Sequence, residues 1–163
     1  MKPGARGQRP EVGSPISNLR PHHKSTTNNT KPKNMSSLYA RGNAIIPFTP
    51  SASQEDKEGY LVDLAGNTAT ISSSASVPAK GVILEGQLTT GVSSIGILGG
   101  LAAPVRLRAG GTIAKGAEVQ QKNDGTVLTD AGTGARLIVG IALEAAVAGQ
   151  LFDAVTHTPI ARS

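Results

Sequence analysis

The stretch VRLRAGGTIAKGAEVQQKNDGTVLTD, Val105 to Asp130, decides how this chain folds. Val105 and Leu107 alternate with Arg106 and Arg108, the period of a strand with one buried and one wet face. Gly110 and Gly111 then turn the chain, and Lys115 and Gly116 turn it again before AEVQQ. Asp124 and Gly125 are a two-residue turn signal between AEVQQKN and TVLT, because both residues tolerate positive φ. Glycines in such density also suggest a phosphate cradle. A P-loop needs glycine, four residues, then Gly-Lys-Ser/Thr opening a helix, whereas Lys115 precedes Gly116 and the residues that follow lack an apolar stripe at helical spacing. The Gly-x-Gly at Gly132 and Gly134 lacks the third glycine of a dinucleotide fingerprint. The glycines are corners between short strands.

The same punctuation runs outward in both directions. Tyr60 to Leu64, a turn at Ala65, Gly66 and Asn67, and the Thr- and Ile-rich run after it form a hairpin pattern. Val82 to Leu84 ends at Glu85-Gly86, and Ile95 to Leu98 ends at Gly99-Gly100. Downstream, Ala135 to Ala148 contains good helix formers, but Gly140 and several β-branched residues weaken a helix there. Read as a strand, Leu137, Val139, Ile141 and Leu143 share one face and Ile138 and Ala142 the other, so the strand is buried on both sides. A helix of one or two turns could remain at Ala145 to Ala148, with a last strand over Leu151 to Thr156. The fold class is all-β: a small β-barrel-like domain with a long extended N-terminal arm.

Charge divides the chain at the same place. Residues 1–50 carry eight basic residues against Glu11 alone, a net +7, while residues 51–163 carry eight basic and ten acidic residues, a net −2. The first segment is also rich in proline, and KSTTNNTKPKNMSS in its middle cannot bury enough apolar surface to offset backbone ordering of about 1–2 kcal/mol per residue. Residues 1–50 are therefore expected to be an extended or disordered basic arm that becomes ordered on a partner, and residues 51–163 a β-rich domain. Within the arm, Arg20, Lys24, Lys31, Lys33 and Arg41 supply charge, and Ile45, Ile46 and Phe48 can dock on a surface while Pro47 and Pro50 keep the backbone extended. Three uses compete: a solubilising terminus, a phosphate-neutralising segment for nucleic acid, and an arm that orders on a protein. Dilute basic residues without aromatic stacking partners argue against nucleic acid, and the apolar cluster near Ile45 favours a protein.

Composition narrows the chemistry. There is no cysteine, which removes disulfides and thiolate chemistry, and His22, His23 and His157 make no ligand framework, so no metal or cofactor is expected. Serines lie in turns and tails, no histidine falls in the expected core, and Asp63, Glu85, Glu118, Asp124, Asp130, Glu144 and Asp153 are spaced singly, so no catalytic constellation is expected. The N-terminus lacks an apolar run of roughly 7 to 15 residues, and no stretch of about 18 apolar residues occurs, so a soluble protein without membrane association is expected. Tyr39, Phe48, Tyr60 and Phe152 are the only aromatic residues, which leaves a core of Val, Ile, Leu and Ala that oligomerisation would help to stabilise.

The C-terminal half resembles the capsid decoration, or cement, proteins of tailed bacteriophages that carry a small β-tulip-like domain. The resemblance rests on an ordered set: Ala109 to Gly111 with Ile113 and Gly116; Asp124, Gly125 and Val127; then Val139, Gly140, Ile141, Ala142, Leu143, Glu144, Ala146 and Gly149 before the strand ending at Val155. Gly81 to Gly86 matches the upstream strand less specifically. The resemblance implies a non-enzymatic virion protein on the outer capsid surface, bound to the major capsid protein at capsomer junctions. It also implies self-association, commonly as a homotrimer, and a clamping role on the expanded shell. It makes Gly110, Gly111, Gly116, Asp124, Gly125, Gly140 and Gly149 structural turns and Glu144 a turn-flanking surface residue. The basic arm departs from the compact family pattern, which points to the arm as an added attachment. Another virion structural protein, in the minor capsid or tail, and a nucleic-acid-binding accessory protein are the alternatives.

Overall fold

The computed structural model describes residues 43–163, and within them every regular element is a strand. Ten strands run in chain order: β1 (Asn43–Pro50), β2 (Leu61–Ala65), β3 (Thr68–Ile71), β4 (Gly81–Glu85), β5 (Ser93–Leu101), β6 (Val105–Arg108), β7 (Glu118–Gln121), β8 (Val127–Thr129), β9 (Arg136–Ala142) and β10 (Leu151–Arg162). The first five close into a barrel in the order β1-β3-β2-β4-β5, and the last five form a sheet in the order β6-β10-β9-β7-β8. The second sheet curls until its two edges meet, with Ala109 bridging Val127 and the Gly110 N–H donating to the Val127 carbonyl at 2.7 Å. The all-β expectation holds, and no helical turn forms at Ala145 to Ala148, where Ala146 instead bridges Ile113.

Two cores explain why β2 and β4 read as continuous apolar runs. Val62 and Ile83 point into the barrel with Phe48, Ala69 and Ile95, while their neighbours Leu61 and Val82 point into the core shared with the second sheet, against Leu107, Val127, Val139 and Phe152. A strand buried on both faces has no wet side to alternate with. Phe152 is fully buried in that shared core, the largest side chain in a filling otherwise made of aliphatic residues and alanine.

The boundary expected at residue 50 is corrected by β1. Asn43–Pro50 is a barrel stave, antiparallel to β5 from Asn43↔Leu101 to Phe48↔Ser93 and parallel to β3 at Thr49↔Thr68 and Pro50↔Ala69. Two prolines are tolerated because strand N–H groups alternate in direction. Thr49 and Ser51 donate to the carbonyls of Asn67 and Ala69, so Pro50 between them owes β3 no donor. Pro47 shares the parity of Thr49, and its missing N–H falls on the β3 side of β1 at a level that the β3 pairing, which begins at Thr49, does not reach. That blunts the exposed part of the edge.

Two other strands outrun expectation. β5 continues past Leu98 through Gly99 and Gly100 to Leu101, with a register shift in its pairing to β1. β10 continues from Thr156 to Arg162, its register to β9 shifting between Thr156 and Ile160. The expected two-residue turn at Asp124-Gly125 is a three-residue loop, Asn123-Asp124-Gly125, closed by the Lys122 N–H on the Thr126 carbonyl at 3.0 Å. Only Gly125 takes positive φ, 78°. Asp124 instead uses its carboxylate, accepting the Thr126 N–H at 3.0 Å and the Lys122 ammonium at 2.7 Å. Burial opposes its ionisation, yet Lys122 and the hydroxyl and N–H of Thr126 outweigh that and hold the carboxyl below its ordinary range. Gly140 is no turn: it lies inside β9, where an added Cβ would stand 2.3 Å from the Val155 carbonyl oxygen of β10. Gly116 and Gly149 do take positive φ at turns, 80° and 83°.

Candidate partner-binding surface

Of the residues expected to bind a partner, Arg20, Lys24, Lys31, Lys33 and Arg41 lie outside the described residues. The apolar trio at the end of the arm is divided by the alternation of β1. Phe48 is buried in the barrel core and Ile46 packs against it, so neither is offered to a partner as the sequence suggested. Ile45 points outward, 42% exposed, and lines a cleft of about 330 Å³ with Leu84, Leu101, Pro104 and Val105. Glu58 and Arg106 line it too, as a loose ion pair at 3.6 Å. Of the trio, only Ile45 belongs to a surface.

A second surface comes from β9 and β10. Leu137, Ile138 and Val139 are buried as expected, but Ile141 and Leu143 are 43% and 39% exposed. Register shifts on the β7 side of β9, between Val119 and Gln120, and on the β10 side divide the strand, and beyond them Ile141 faces outward while Gly140 and Ala142 stay buried. Val155 lies directly across from Ile141 and is also exposed, which places three branched apolar side chains on one outer face. Glu144 stands beside this face as a turn-flanking residue, its carboxylate accepting the Asp153 N–H at 2.9 Å.

The remaining polar groups hold the scaffold together. Gln121 of β7 is 2% exposed, and the sequence offered nothing to single it out. Its amide donates to Ser72 Oγ at 3.0 Å and to the carbonyls of Ser74 and Val77, and its carbonyl accepts the Ala79 N–H at 3.0 Å. Three acceptors share two amide hydrogens, so one bond is bifurcated. This one side chain pins the serine-rich loop between β3 and β4. Arg108 ties three turns: its guanidinium donates to the Gly149 carbonyl at 2.7 Å and the Asp56 carbonyl at 3.4 Å, and it lies over the Tyr60 ring at 5.7 Å. Glu118 and Asp130 are not isolated as expected. Glu118 pairs with both terminal nitrogens of Arg162, and Asp130 pairs with Arg136 and faces Arg162 at 3.9 Å, fastening the end of β10 to β7 and the turn before β9. Burial alone would raise Asp130, but the Gly132 N–H, Arg136 and Arg162 hold its carboxyl below its ordinary range. Hydrogen bonding to Glu118 pushes the Arg162 guanidinium up.

Among the described residues no cluster of His, Asp or Glu has the makings of a metal site, and no helix is long and apolar enough to cross a membrane. His157 places Nδ1 2.8 Å from the Thr158 carbonyl on the bulged part of β10. No protein-family model matches the chain, and no curated protein matches it. Among solved structures it is similar to the N-terminal base of the head fiber protein gp8.5 of bacteriophage phi29, at 17% sequence identity and a TM-score of 0.52. The match covers 72% of this chain and 98% of that one. At that identity the likeness is one of fold.

Proposed function

We propose that this protein is a non-enzymatic structural component of a bacteriophage head, mounted on the outside of the shell through its basic N-terminal segment. The observation that carries the reading is the fold shared with a head fiber base, together with the ordered glycine motifs that resemble capsid decoration proteins. Division of charge supports it: a net +7 before residue 43 and a net −2 in the body after it make a basic tether on a mildly acidic module. A tether that orders on a lattice covers much surface per residue, and repetition over the shell multiplies weak contacts. In this reading the major capsid protein is the partner, at capsomer junctions. The outward face of Ile141, Leu143 and Val155 is the self-association surface of a homotrimer, in line with the depletion of charge at interface cores.

Cosedimentation with DNA-free heads tests this. Full-length protein should pellet with heads to a fixed stoichiometry, and the fragment Asn43–Ser163 should bind much more weakly. The fragment begins at residue 43 because removing residues 1–50 would also take β1 out of the barrel. Equal binding by the two would sink the role given to the arm. Binding to naked DNA that falls steeply with salt, without binding to heads, would favour the nucleic-acid alternative. Sedimentation equilibrium on the wild type and on Ile141→Glu should show loss of the trimer in the variant. A second reading, a base that carries a fibre, is favoured by the same structural neighbour and differs in placing the outer face of β9 and β10 against a fibre.

A further inference from the structure

The chain enters the body at the wall of the Ile45 cleft, since Asn43 pairs with Leu101 and both Ile45 and Leu101 line it. Upstream, Leu38 and Tyr39 are the only adjacent pair of large apolar side chains before residue 43. They lie four to five residues from Asn43, a reach of roughly 13–17 Å at about 3.3 Å per extended residue. Gly42 and Asn43 are residue types that reverse a chain tightly.

We propose that Leu38 and Tyr39 fold back across Gly42 and seat in the Ile45–Leu101–Val105 cleft of their own chain, with Arg41 beside Glu58. A volume of about 330 Å³ accommodates one aromatic and one aliphatic side chain, and Ile45 and Leu101 offer them apolar walls. Glu58 has Arg106 as a neighbour at 3.6 Å, with both side chains largely open to water, so a second cation can join the pair. A larger apolar cleft, about 480 Å³ between Leu64, Val77, Ile97 and Pro159, also lies near the entry point through β5. Its charged residue is Lys80, which repels a basic segment. A tether of so few residues gives an effective concentration on the order of millimolar, which favours the same chain over a neighbouring copy. Docking there fixes where residues 1–37 leave the body, so the arm meets its partner with less freedom to lose.

The chain has no cysteine, so engineered pairs report cleanly. In full-length protein, Leu38→Cys with Ala103→Cys should form an intramolecular disulfide under mild oxidation at high dilution, since a bridge needs the two Cα atoms within about 7 Å. Leu38→Cys with Val77→Cys should not. Preferential bridging to position 77, disulfide-linked dimers, or no bridge in a folded variant would each overturn the proposal. Should the cysteine variants not fold, fluorescence decides. There is no tryptophan, so Tyr60→Phe leaves Tyr39 as the only tyrosine. Its acrylamide quenching constant should be several-fold below that of a Ser36–Gly42 peptide and independent of protein concentration. A constant equal to the peptide's, or shielding only at high protein concentration, overturns it.

Discussion

Replacing Gln121 by alanine removes one buried amide that serves four groups of the loop between β3 and β4. The Ala79 N–H loses its acceptor at a residue 1% exposed, so water cannot replace it without opening the loop. An orphaned buried donor costs about 1–3 kcal/mol, and losing the bond to Ser72 adds about 1 kcal/mol. The carbonyls of Ser74 and Val77 lie closer to solvent and rehydrate at small cost. Gln121→Ala should therefore lower stability by about 2–4 kcal/mol. At a urea m value of about 2 kcal/mol/M, that moves the unfolding midpoint down by roughly 1–2 M. Gln121→Leu separates hydrogen bonding from volume, because it fills the space and restores none of the bonds. Gln121→Glu adds a pH signature. A carboxylate facing the Ser74 and Val77 carbonyls has its folded pKa raised, so the penalty is absent below the unfolded value, about 4.3, and complete above the folded one. Urea titrations of the three variants and the wild type across pH supply the measurement. A loss below about 0.5 kcal/mol in Gln121→Ala, or full stability in Gln121→Leu, would refute the reasoning.

Deleting residues 1–37 should leave the thermal midpoint of the body nearly unchanged, whereas Phe48→Ala should cost about 3–5 kcal/mol by emptying the barrel core, as chemical denaturation would show. Gly140→Ala should cost about 3 kcal/mol or more, because the added Cβ meets the backbone of β10. Gly116→Ala, strained at positive φ but in open space, should cost about 1–2 kcal/mol in the same assay. Asp130 has a folded pKa below its ordinary value, so its contribution is present above that ordinary value and fades as pH falls through the folded one. Asp130→Asn should accordingly flatten part of the acid limb of the stability curve, and an unchanged limb would show that the Arg136 and Arg162 pairs contribute nothing.

What the sequence made legible was its corners. The glycines at positions 110, 116, 125 and 149 marked the ends of strands, and the strand period of Val105 to Arg108 marked what lay between them. β1 was hidden because Pro47 and Pro50 resemble an arm, and their harmlessness depends on which way each N–H would point, a property of the partner strands. The extension of β10 was hidden because His157, Thr158 and Pro159 occupy a register shift, so the alternation breaks at the place where the strand continues. Gly140 looked like a corner because a glycine needed for close backbone approach and one needed for a turn are the same letter. Gln121 gave no signal by itself. The loop it serves did, since Ser72 to Ala79 has many backbone groups to satisfy and no element of its own to satisfy them. Of the candidate surface, Ile45 was legible, but the split of Ile45 from Ile46 and Phe48 required the strand to be known first.

The central claim is attachment of this protein to the outside of a phage head. The most direct measurement is a cryo-electron microscopy reconstruction of DNA-free heads incubated with the full-length chain. Density for the two-sheet body on the outer surface at repeated lattice positions, with a thread running from residue 43 onto the capsid protein, is the predicted result. Undecorated heads, or density confined to the interior, would contradict it.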